Sequence, residues 1–174
     1  DDLGFYSFNG LTGPNHLDSY LEGPWVKVYN NQIPKAVHSA IIKTESAETW
    51  NWATDDNSYL DEESNVFYHT NKIHNYASSL GVTEMNFQMI ANVNINDYCN
   101  AYYNSEDSSV NFFKNDYGCE STAVINDVIY HEYGHGIIHS LDPSLLNVGG
   151  YWDQPGNIHE GLSDYWACTL NNNP

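Results

Sequence analysis

The 174-residue chain contains no arginine and only five lysines, against 23 aspartates and glutamates, for a formal net charge of −18. A surface with so few cations repels nucleic acid and anionic membranes, which excludes both as natural partners. No apolar run approaches the roughly 20 residues needed to cross a bilayer, so a spanning helix is excluded as well. Internal repeats and low-complexity linkers are absent. A hydrophobic content of 41%, with 14% aromatic residues, excludes disorder and marks a globular protein. The length suits one domain with a substantial core, so residues 1–174 are expected to form a single unit. Cysteine is scarce and odd in number. Cys99 and Cys119 bracket a strand-rich segment and would pair in a secreted protein or else remain two buried thiols, with Cys168 left over. The chain begins at Asp1 with neither a methionine nor a signal-like apolar segment, as expected of a processed mature form.

Up to about Trp52 the pattern is of short β-type runs, "WVKVYN" and "AVHSAIIKT", separated by Gly-Pro, Asn-Asn and Ile-Pro breaks. From Asp61 to Leu80, acids in the first turn and Val66, Phe67, Ile73, Tyr76, Ala77 and Leu80 at helical spacing predict a helix stopped by Gly81. "NFQMIANVNIND" and "CNAYYNSEDSSVNFF" alternate as strands joined by a polar turn at Ser105 to Ser109. A second helix is expected after Gly118, N-capped by Ser121 or Thr122 and ended by Pro143, with Val124, Val128, His131, His135 and Ile138 along one face. A Gly-rich loop, "NVGGYWDQPGN", precedes a last helix, "IHEGLSDYWACTL".

The second helix carries "HEYGH". Residues four apart lie one turn above each other, so His131 and His135 can aim two imidazoles at one ion. Glu132 sits about 100° round, able to reach a water on that ion without ligating it. H-E-x-x-H thus encodes two nitrogen ligands and a general base, although polar residues on a helix face would read the same. A catalytic zinc needs a third protein ligand and an open position. His139 lies a further turn along, but three ligands on one straight helix cannot converge tetrahedrally. The spacing also excludes the metzincins, because Ile138 and Leu141 stand where glycine and a third histidine would be required. The strong candidate is Glu160 in "HEGLSD", with Asp164 one turn on: one carboxylate to bind metal, one to orient a histidine.

"HEYGH" followed by "EGLSD" resembles a gluzincin metallopeptidase of the thermolysin and fungalysin type. "NVFYHTNKIHNYASSLGVTEMNFQ" is similar to the fungalysin segment before the active site, and "CNAYYN" to the strand where thermolysin-like enzymes hold substrate, so the match runs from about Asn65 to Trp166. The resemblance implies an α+β fold, the N-terminal half of a thermolysin-like enzyme: a twisted, antiparallel-rich sheet packed on helices that include the zinc helix, then a final helix carrying the glutamate. It implies a secreted, zinc-dependent endopeptidase acting on protein or peptide substrates. His131, His135 and Glu160 would be the zinc ligands, Glu132 the general base and Asp164 the partner of His131. Asn100 and Ala101 would bind substrate backbone. Tyr151 matches an oxyanion-stabilising tyrosine, with aromatic packing as the alternative. Asp127 matches a calcium-binding aspartate, whose later acidic partner would fall near Asn171.

The chain departs from the pattern after that last helix. Thermolysin-like enzymes continue into a helical domain that forms the other wall of the cleft and supplies a histidine and an arginine, whereas this sequence ends at Pro174 and has no arginine. The expectation is a fragment completed by a missing C-terminal domain or second chain, or else a minimal enzyme with a shallow site. In the first case Leu162, Trp166 and Leu170 should be exposed on the last helix. A noncatalytic module that keeps zinc for its stability is the alternative from another functional class.

Overall fold

The computed structural model describes residues 8–32, 37–43, 60–116, 118–145 and 154–171. Six strands and three α-helices appear among them: β1 (Asn15–Tyr20), β2 (Val26–Asn30), β3 (Val37–Ile42), α1 (Leu60–Ser79), β4 (Met89–Ile95), β5 (Ala101–Asn104), β6 (Ser109–Phe113), α2 (Asn126–Leu141) and α3 (Gln154–Asn171). The fold is α+β, as expected from the sequence.

β1 and β3 form a separate antiparallel ribbon, Asn15 opposite Ile42 through Tyr20 opposite Val37. Neither of its strands buries a residue fully. The main sheet has the order β2-β4-β6-β5. β2 and β4 pair in parallel, as do β4 and β6, while β5 and β6 make an antiparallel hairpin. The sheet is therefore mixed where an antiparallel-rich one was expected. The reason is the connection: α1 lies between β2 and β4 in the chain, and a long crossover returns a strand parallel to the one it left. All five residues of β6 are buried, as suits an inner strand covered on both faces.

Asp61, Glu62 and Glu63 occupy the first turn of α1, where the helix dipole favours negative charge. Gly81, at φ +92°, ends that helix in a left-handed turn: Val82 N–H reaches Ala77 O and Gly81 N–H reaches Ser78 O. Val66, Ile73 and Ala77 are fully buried, but Leu80 falls past the last helical residue and is exposed, so it does not belong to the core face. The core joins these side chains to Val26, Ala91, Val110 and Phe112 of the sheet and to Ile129, Tyr133 and Ile137 of α2.

α2 starts later than the sequence suggested. Thr122–Val124 form a separate 3-10 turn, and the N-cap of α2 is Ile125, with no side-chain capping bond. Thr122 is used differently: its Oγ1 donates to Asn100 O (3.0 Å) and accepts from Phe113 N–H (2.9 Å), tying the turn to the β5–β6 hairpin. α3, by contrast, begins four residues before Ile158, inside the expected loop. Pro155 is tolerated there because first-turn N–H groups have no partner within the helix.

Candidate metal centre

α2 and α3 pack closely enough to share a site because α2 carries glycine where they meet. A Cβ on Gly134 would lie 3.1 Å from Ser163 Cα of α3, and one on Gly136 would lie 3.1 Å from Met85 Cε and from Tyr103 Cε2. Gly134 sets the approach of α3, and Gly136 lets the β5 side fit beneath the helix.

Across this contact His131 Nε2 lies 3.1 Å from Glu160 Oε2, and His135 Nε2 lies 3.5 Å from the same oxygen. The donor atoms of these three residues fall within 4.8 Å of one another, a set able to hold a metal ion. Ligands about 2.0–2.1 Å from a tetrahedral zinc stand about 3.3 Å apart, and the two contacts to Glu160 bracket that separation, so the set fits zinc. Two nitrogens and one oxygen leave a fourth position for a reactant. Each imidazole is also held from behind. His131 Nδ1 donates to Asp164 Oδ1 at 2.8 Å. Around His135 Nδ1 stand Ser163 Oγ at 3.0 Å and His159 Nδ1 at 2.6 Å. Such partners fix the tautomer and the ring plane of a metal-binding histidine.

Electrostatics separate the roles. Burial, then the neighbouring His131 and His159, lowers His135 to about 3, which keeps its ring neutral and able to ligate. Burial pushes the Glu132 carboxyl up to about 7; Glu160 adds to the rise, while His131 and the Tyr103 backbone N–H oppose it. Glu132 is buried at 7% exposure, beside the donor cluster but outside it.

A cavity of about 560 Å³ opens next to these groups, lined by Asn100, Ala101, Asp127, Val128, His131, Glu132 and others. Asn100 and Ala101 thus face the same space as His131 and Glu132. Among the described residues β5 is the edge of the sheet, paired to β6, and an edge of this kind is able to take an extended peptide. The Cys99–Cys119 disulfide is formed and anchors the start of β5 next to the cavity; Cys168 is free and exposed.

Other expectations are settled differently. Asp127 meets the side-chain amide of Asn171 instead of a second carboxylate, so the acidic partner of a calcium pair is not there. His139 stands outside the donor set, its Nδ1 3.4 Å from the Tyr103 hydroxyl. Tyr151 lies outside the described residues. On α3, Leu162 is exposed, but Leu170 is buried and Trp166 is half-buried, edge-on to Tyr76 of α1. The exposed apolar row is instead Ile158, Leu162 and Tyr165, one helical face. Sequence reasoning missed His159 and Ser163 as partners of His135. Their signal was present: they are one turn apart, as are Glu160 and Asp164, and the two rows are adjacent on α3.

The mixed sheet, with α2 and α3 sharing the three-donor cluster, makes up an α+β fold. No family model matches the chain, and no curated protein matches it in sequence. Among solved structures it is similar to the precursor of protealysin, a metalloproteinase from Serratia proteamaculans, with 17% identity and a TM-score of 0.58 over 84% of this chain and 43% of that one. The chain therefore spans less than half the length of that structure. No helix among the described residues is long and apolar enough to cross a membrane.

Proposed function

We propose that this chain is the catalytic part of a zinc-dependent endopeptidase of the thermolysin and fungalysin type. The observation that carries the reading is the convergence of His131, His135 and Glu160 from two helices, with His131 and Glu132 also lining a cavity that the start of β5 borders. Zinc at such a centre supplies a Lewis acid that polarises a carbonyl and lowers the pKa of water toward about 7. Glu132, raised to about 7 by its burial, is matched to accept a proton from water at neutral pH and to return it to the leaving amine. Asn100 and Ala101 align the peptide along β5, and Asp164 keeps the His131 ring turned toward Glu160.

Glu160 is 41% exposed and Asp164 71% exposed at the side chain, so the α3 side of the centre is open. This suits a second domain or chain supplying the opposite wall of the cleft. The disulfide suits secretion into an oxidising compartment.

The reading is tested by metal content and peptide cleavage measured together. Stoichiometric zinc, with cleavage abolished in Glu132→Gln while zinc is retained, supports it. A wild-type chain that takes up no zinc sinks it. Zinc bound tightly by a chain inert toward all peptides would favour a metal-stabilised, noncatalytic module, to which the exposed carboxylate side also lends itself.

A further inference from the structure

The two histidines of the centre are supported unequally. His131 has a carboxylate behind it, whereas His135 has a second imidazole. His159 is 3% exposed, and its ring meets that of His135 edge to edge, with centroids 4.6 Å apart and planes 13° from parallel. The two Nδ1 atoms are 2.6 Å apart, so only one of them can carry a hydrogen. Ser163 Oγ, 3.0 Å from His135 Nδ1, donates its own hydrogen to the His159 carbonyl and therefore offers His135 only a lone pair.

The protonation pattern follows. If His135 gives Nε2 to a metal, its single hydrogen sits on Nδ1 and points at both neighbours. His159 must then present a bare Nδ1 and carry its hydrogen on Nε2. That nitrogen is buried and has no hydrogen-bond partner among the described residues. The ring thus gives up one hydrogen bond and keeps the one to His135.

We propose that His159 is a positioning residue for His135: it accepts the Nδ1 hydrogen, fixes the tautomer that frees Nε2 for metal, and holds the ring plane through that in-plane hydrogen bond. The inference rests on the zinc-centre reading above. A neutral acceptor does here what Asp164 does for His131, without placing another negative charge beside Glu160 and Glu132. Partners of this kind are worth about 10–100-fold in metal affinity.

The test is zinc affinity of the whole chain, measured by competition with a chromophoric chelator, for wild type, His159→Phe and His159→Asn. Phenylalanine keeps a flat buried ring but has no acceptor; asparagine keeps an acceptor and loses the ring. His159→Phe should melt close to wild type without metal, because it also removes a buried N–H that has no partner among the described residues, yet bind zinc about 10–100-fold more weakly. His159→Asn should recover most of that loss. If the phenylalanine ring is not tolerated, His159→Leu serves as the acceptor-free variant. An acceptor-free variant that binds zinc within threefold of wild type overturns the proposal, as does an asparagine variant as weak as the acceptor-free one. Ser163→Ala weakening zinc more than His159→Phe overturns it too, because the serine would then be the partner that matters. A wild-type chain that binds no zinc overturns the earlier reading and this one with it.

Discussion

Along one face, α2 meets α1 through two tyrosine–histidine hydrogen bonds; along the other, it meets α3 through two histidines that converge on a carboxylate. On the α1 side Tyr130 pairs with His69 Nδ1 at 2.5 Å, and Tyr133 pairs with His74 Nδ1 at 3.0 Å. His69 is lowered to about 4 by burial and then Lys72, and His74 is lowered by burial against an opposing bond to the Met85 backbone. Trp25 stacks on His74, with ring centroids 4.2 Å apart. These imidazoles are neutral and enclosed, and the hydroxyls that meet them are neutral too. On the α3 side the Nε2 atoms of His131 and His135 are aimed at Glu160, with Asp164 behind one ring. Histidine is thus a structural lock where a hydroxyl completes it, and a prospective ligand where a ring nitrogen is left facing a carboxylate.

The sharpest way to break this comparison is to cut the α3 side alone. Glu160→Gln should reduce zinc affinity by more than the roughly 10–100-fold expected for losing a partner behind a ligand. Its metal-free melting temperature should barely change, because Glu160 is partly exposed. Equilibrium dialysis against zinc measures the first quantity and a thermal melt in chelator the second. Undiminished zinc binding would remove Glu160 from the centre.

Next in size is a gain in stability from disabling Glu132. Its carboxyl, raised from 4.5 to about 7, is held protonated more firmly in the folded chain than in the unfolded one. Its contribution to stability is fully present below 4.5 and is lost as pH rises through about 7. That rise corresponds to about 3 kcal/mol of strain on the ionised form. Metal-free Glu132→Gln cannot ionise, so at pH 8 it should resist urea better than wild type by about that amount, with the gap closing toward pH 4.5. A gap independent of pH would mean that Glu132 is not the group responsible. The acid titration of the buried histidines is common to both proteins and cancels in the difference.

Gly134→Ala probes the contact that makes the α3 side possible. The added Cβ would meet Ser163 backbone at 3.1 Å, and backbone cannot swing aside as the end of a side chain can. A loss of about 1–3 kcal/mol is expected from overpacking, with a parallel loss of zinc affinity as α3 is displaced. Unfolding titrations and zinc competition on the same sample would show whether the two losses travel together.

What the sequence disclosed follows the same division. The His131–His135 pair was legible because helical geometry places residues four apart on one face, a local rule that needs no tertiary information. Glu160 and Asp164 were legible from their own one-turn spacing and from the resemblance. The Cys99–Cys119 pairing was half-legible, as one of two readings. The parallel pairing of β2 with β4 and of β4 with β6 was hidden, because alternation within a strand says which face is buried and nothing about the neighbour. Thr122 read as a helix cap because its local context is that of one, yet the hairpin claims its hydroxyl from 22 residues away at Asn100. His159 was hidden by the motif around it: beside Glu160, it looked like a neighbour of the ligand and not a partner of the other helix.

The smallest expected effect lies on the α1 side, and it matters because it should leave the centre untouched. Tyr133→Phe removes the hydroxyl that meets His74 Nδ1, leaving a buried acceptor without its donor at a cost of about 1 kcal/mol, the low end for an unsatisfied neutral group. His74 keeps its bond to the Met85 backbone, and Trp25 still stacks on its ring, so the fold should survive. Tyr133 follows Glu132 directly and lies between His131 and His135 in sequence, but its side chain points to the opposite side of the helix. Zinc affinity should therefore stay within about threefold of wild type while the urea midpoint falls. If affinity fell instead by the 10–100-fold typical of a ligand's own partner, the two faces of α2 would not be independent, and the α1 lock would have to be counted among the devices that position His131 and His135.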